Sequence, residues 1–181
     1  MRSHIISTSV ACTPQGICDQ PATRDLYLVD TSQPIVWLRA HVTVLRESDG
    51  TNPAATAADV TASMDQLNAD FLSARVQFVY DWNYYDNSTY RTLGDAEDVA
   101  MKCASTVKPE STLNIWVTNI ADAGVLGYSY LPWSGNALQC SYGCVVEQTS
   151  GGGFGGGRHV LSHEVGHALG LYHTFHGVDE V

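Results

Sequence analysis

From residue 35 onward, the spacing of apolar positions divides the chain into alternating strand and helix segments. Ile35 to Leu45 is a run of β-branched and apolar residues closed by the turn signal Ser48-Asp49-Gly50, which predicts an interior strand. From Ala57 to Ala74, Val60, Met64, Leu67, Phe71 and Leu72 recur on one helical face, with Asp59 or a nearby Thr placed to cap it. Arg75 to Tyr85 alternates Val76, Phe78, Tyr80 and Trp82 with more polar partners, a second strand of period two. A short helix is expected over Asp95 to Ser105. A strand is expected over Thr112 to Ile120, with Leu113, Ile115 and Val117 on one face. Val125 to Leu131 contains an internal Gly and precedes Pro132, features that suit an edge strand. Cys144 to Glu147 is a short strand, and the run Gly151 to Gly157 is a low-complexity loop leading into a last helix. Residues 1–33 show no sustained periodicity and read as a leader or propeptide remnant before a domain spanning 34–181.

Composition narrows the function classes. At 181 residues and 44% hydrophobic content the chain is one domain with a sizeable core. Its net charge of -10 and singly scattered basic residues exclude nucleic acid and anionic membranes as partners, because phosphate binding needs clustered cations. The acidic surplus tolerates Ca²⁺ or cationic substrates. No run of 18 apolar residues marks a transmembrane helix. The first residues carry no export-signal core, so the chain reads as part of something longer. Few charges and five cysteines point to an oxidising compartment, with at least one thiol left over and the connectivity open. Cys140 and Cys144 read either as disulfide partners, of Cys103 or within their own loop, or as a second metal site, the bridge being the plainer account. His41 is expected to be a hydrogen-bonded core residue. His159 and His176 are expected to face solvent or cap backbone groups.

The chemistry lies in His163-Glu164-Val165-Gly166-His167-Ala168-Leu169-Gly170-Leu171-Tyr172-His173, an H-E-x-x-H-x-x-G-x-x-H pattern. Histidines at i and i+4 lie one turn apart on the same helix face, so both imidazoles can reach one Zn²⁺. Glu164 projects beside the metal, placed to hold a water. Gly170 can adopt the left-handed conformation that stops the helix, and the resulting turn returns His173 as third ligand. Three His ligands leave a fourth position open, the arrangement of a catalytic site. At ordinary residue frequencies the full pattern arises by chance in roughly one chain in 10⁵ of this length.

This segment, continued by Thr174-Phe175, resembles the zinc signature of the metzincin endopeptidases, and within them of the pappalysin family that includes ulilysin. Leu67-Asn68-Ala69-Asp70-Phe71, Leu113-Asn114-Ile115-Trp116-Val117 and Leu126-Gly127-Tyr128 are similar to family segments, and the likeness covers about residues 35 to 175. It implies an α/β (α+β) fold: a twisted, mixed five-stranded sheet with a backing helix and an active-site helix. It implies one catalytic Zn²⁺ on His163, His167 and His173, Glu164 as general base, and a protein or peptide substrate pairing with the backbone of Leu126, Gly127 and Tyr128. Secretion is implied too, with Ca²⁺ sites possible in a full-length form and a latency switch possible at Cys12 or Cys18, where a local disulfide is the plainer account. Family members carry a Met-containing turn after the third His. Met1, Met64 and Met101 all lie upstream, so the resemblance implies a catalytic domain represented by its upper subdomain, with the lower one missing. Two alternatives stay open: a noncatalytic, zinc-stabilised protein-binding module, and a metzincin of another family.

Overall fold

The computed structural model describes residues 32–148, 154 and 159–173. The leader with Cys12 and Cys18, most of the glycine run, Thr174-Phe175 and His176 lie outside the described residues. The chain builds β1 (Val36–Arg46), α1 (Ala57–Phe71), β2 (Val76–Asp86), α2 (Ser88–Arg91), β3 (Thr92–Leu93), α3 (Asp98–Ser105), β4 (Leu113–Ile120), β5 (Gly127–Ser129), β6 (Cys144–Glu147) and α4 (Val160–Ala168). The strands form a sheet in the order β2-β1-β4-β6-β5, with the two-residue β3 paired to the end of β4. Every pairing is parallel except β5 with β6, so the expected mixed five-stranded sheet with one antiparallel edge strand is present.

Strand periodicity assigns the two faces. Val42, Val44, Ile115, Val117 and Val146 point to one side, where they are covered by Val60, Met64 and Leu67 of α1 and Leu161 and Val165 of α4. The intervening Leu45, Trp116, Val145 and Tyr128 point to the other side, against Met101 of α3 and Leu93. Both caps proposed for α1 are used at once. The Thr56 hydroxyl serves the Asp59 amide while the Asp59 carboxylate accepts from the Thr56 N–H, a capping box.

α2 and β3 have no counterpart in the apolar pattern. Asn87 starts α2 by accepting from the Tyr90 N–H, and Arg91 is buried, its Nε donating to the Asn52 carbonyl at 2.7 Å and its Nη2 to Gln148 at 2.5 Å. His41 is buried and bonded to Asp81 and Asn83, as expected for a core histidine. Cys140 forms a disulfide with Cys103, and Cys144 is a buried free thiol that burial pushes up to about 12. With Cys140 so bonded, the two cysteines form no metal pair.

Candidate metal centre

α4 has little polar capping of its own and is held by burial. Its apolar residues Leu161, Val165 and Ala168 enter the sheet-covered core, which turns His163 and His167 towards the opposite side of the helix. The helix ends in a Schellman motif: the Gly170 N–H donates to the His167 carbonyl and the Leu171 N–H to the Gly166 carbonyl, both at 2.9 Å. Gly170 sits at φ +96°, and a Cβ there would lie 3.1 Å from the Trp133 ring. That turn delivers His173. Tyr142 reinforces the end of the helix, its hydroxyl donating to the Ala168 carbonyl. Burial pushes the phenol up to about 12, so it keeps its donor proton at neutral pH.

The three imidazoles converge. Nε2 of His163 lies 3.0 Å from Nε2 of His167 and 3.1 Å from that of His173, and the His167 to His173 distance is also 3.1 Å. The Nδ1 of His167 is 2.7 Å from the Leu171 carbonyl and donates to it, so the lone pair of the neutral ring is left on Nε2, facing the other two. Burial, followed by the facing imidazoles, holds His163 below its ordinary value and therefore neutral. A tetrahedral ion with metal–nitrogen bonds of about 2.0–2.1 Å spaces its ligand atoms by about 3.3–3.4 Å. The triangle fits such an ion, which satisfies three converging lone pairs at once where a proton shared between two rings does not. Among the described residues it is the only group of three or more His, Cys, Asp or Glu side chains arranged to hold a metal ion.

Glu164 lies beside this triangle, 1% exposed, and burial raises its carboxyl to about 8. Its Oε2 has no hydrogen-bond partner among the described residues. β5 crosses directly above it: a Cβ on Gly127 would stand 2.8 Å from Glu164 Cγ and 3.1 Å from Oε1. Only a residue without a side chain lets the strand come this close. The Leu126 carbonyl is taken by the Glu147 N–H of the β6 side. Strand alternation therefore turns the N–H and C=O of Gly127 to the outer edge, while Leu126 is 39% exposed and Tyr128 sends its ring into the opposite core. Of the three residues expected to pair with a peptide, Gly127 is the one whose backbone groups face outward.

Asp70, at the end of α1, fastens the start of α4. It accepts from Ser162 at 2.5 Å, from Gln66 at 2.7 Å and from His159 at 2.8 Å, and the His159 ring is otherwise exposed. Desolvation pushes the Asp70 carboxyl up, but the combined hydrogen bonds outweigh it and leave the group below its ordinary value. A carboxylate lowered in this way adds stability above its unfolded value of about 3.9, and that stability is lost as pH falls through the folded value. Asp70→Asn is therefore expected to cost about 2 kcal/mol in urea unfolding at pH 7 and distinctly less at pH 3. An equal cost at both pH values contradicts this assignment.

No protein-family model matches the chain. An extracellular metalloprotease of Pyricularia oryzae is 32% identical over 131 residues, covering 66% of this chain and 44% of that protein. Pappalysin-1 of Mus musculus is 39% identical over 69 residues, which are 38% of this chain and 4% of that much longer protein. The chain is thus similar to pappalysin-1 and to extracellular metalloproteases over the stretch that each matches. The solved structure of mirolysin in complex with a compound shares its fold, with a TM-score of 0.63 at 19% identity over 81% of this chain and 67% of mirolysin. The chain spans less than half the length of the two curated relatives. The H-E-x-x-H-x-x-G-x-x-H pattern pointed to His163, Glu164, His167, Gly170 and His173 but not to Tyr142 or Asp70. Their roles arise from contacts 26 and 92 residues away in sequence.

Proposed function

We propose that the protein is a secreted zinc endopeptidase, with His163, His167 and His173 holding the metal and Glu164 acting as general base. The observation that carries this reading is the unpartnered Glu164 Oε2 beside three converging imidazoles. A site that used metal for stability alone would gain nothing from burying a carboxylate there without a partner, since such a group costs free energy. This argues against the noncatalytic module. Bound zinc supplies a Lewis acid and lowers the pKa of water in its open position to about 7.

The chain's own residues do the rest. Glu164 accepts the proton of the attacking water and later delivers it to the leaving amine nitrogen. Gly127 offers its outward N–H and C=O to an extended peptide, which then lies along the β5 edge above Glu164. The His167 to Leu171 bond keeps that ring in the tautomer a metal requires. Secretion is supported by the relatives named extracellular metalloproteases and by the disulfide.

The reading is tested by elemental analysis together with a protein-digestion assay. One zinc per chain is expected, with new peptide termini that disappear on chelation and return when zinc is restored. Cleavage that persists after the metal has been removed overturns the proposal.

A further inference from the structure

The outer strand β5 has only three residues and one neighbour, β6. So short a ladder does not hold a strand in place by itself. On the face away from Glu164, α3 supplies what is missing. Asp98 and Lys102 are fully buried side chains paired at 3.1 Å. The Tyr128 hydroxyl donates to Asp98. The Lys102 ammonium stands 4.8 Å from the centres of both the Tyr128 and Tyr130 rings and 5.8 Å from that of Trp116. Tyr128 within β5 and Tyr130 just past its end both face Lys102, so α3 holds the strand and the residue that follows it.

Two further ties fix α3 itself. The Trp116 indole N–H donates to Ser105 at 2.9 Å, joining the end of α3 to β4. The Cys103–Cys140 disulfide links α3 covalently to the segment between β5 and β6. An ion pair with both side chains at 0% exposure is a poor source of stability compared with apolar side chains of similar size. Its contacts with Tyr128 and Tyr130, directed at β5 and the residue that follows it, give it a different use.

We propose that Asp98 and Lys102 are positioning residues which, through Tyr128, set the height and register of β5 above Glu164 and thereby the seating of an extended peptide. This rests on the protease reading for its consequence, though not for its geometry. Tyr128→Phe removes only the hydroxyl and keeps the ring. Losing one hydrogen bond to a charged group corresponds to about a tenfold effect.

The experiment compares wild type, Tyr128→Phe and the apolar double variant Asp98→Leu/Lys102→Met, all zinc-loaded. Amide hydrogen exchange over residues 126–130 is expected to quicken about tenfold in both variants. For a peptide long enough to lie along β5, KM is expected to rise about tenfold with kcat within about twofold. Zinc content stays at one per chain, and the melting temperature of Tyr128→Phe stays within about 4 °C of wild type. Unchanged exchange in Tyr128→Phe overturns the proposal, as does faster exchange with an unchanged KM. A wild-type chain that cleaves no peptide overturns the protease reading instead, and the exchange comparison then decides on the positioning role by itself.

Discussion

Glu164→Gln is expected to lower kcat by about 10³-fold while the chain still binds one zinc. Gln has the shape of Glu and fits the space beneath Gly127, where the strand leaves no room for anything larger. It cannot take up a proton, however, and general-base assistance is worth about 10²–10⁴ in rate. The variant also replaces an unpartnered carboxylate oxygen by an amide, so the folded state does not lose a hydrogen bond in the exchange. Initial-rate kinetics alongside elemental analysis separate the two effects. A variant that turns over at wild-type rate would remove Glu164 from the mechanism.

His167→Ala is expected to abolish measurable cleavage and to weaken zinc binding by at least about a hundredfold. Two losses coincide at this position. The middle imidazole of the triangle disappears, and so does the Nδ1 donor that ties the helix to the Leu171 carbonyl. The turn that carries His173 keeps its Schellman bonds but loses this tie, so a second ligand is loosened together with the first. Competition titration against a zinc indicator measures the affinity. His159→Ala is the matched control: it sits about two turns earlier, bonds Asp70 rather than the metal triangle, and is expected to retain zinc at wild-type affinity.

What the amino-acid order discloses depends on how local each feature is. The three histidines of the candidate metal site fall within eleven residues on one helix and its terminating turn, so local backbone geometry brings them together. The strands β1, β2, β4 and β6 and the helix α1 were equally legible, because each carries its own apolar period. The helix expected from Asp95 starts only at Asp98, and the strand expected over Val125 to Leu131 is confined to Gly127–Ser129. Local turns precede both: the Glu97 N–H donates to the Gly94 carbonyl ahead of α3, and the Val125 N–H to the Asp122 carbonyl ahead of β5.

Asp98 and Lys102 show the limit most clearly. An acidic and a basic residue four apart on a helix have the appearance of a solvent-facing pair. Their burial follows from three aromatic rings contributed by β4 and the β5 region, which no pattern within α3 announces. The close approach of Gly127 to Glu164 is hidden for the same reason, since 37 residues separate them in sequence. The Cys103–Cys140 pairing, one of several arrangements open at the outset, is decided by the docking of α3.

The order of the described elements along the chain also bears on when the site can exist. β1, β2, β4 and β6 follow one another in the chain, and α4 and the turn after it, which carry the three histidines, come after every described strand. Domains generally fold as units, so the elements of one domain pack together once the chain that supplies them has been made. The sheet face that receives Leu161 and Val165 of α4 is therefore complete in sequence before the three histidines are reached. The three histidines converge only once α4 has docked on that face, so formation of the candidate site reports on the folding of the sheet that precedes it.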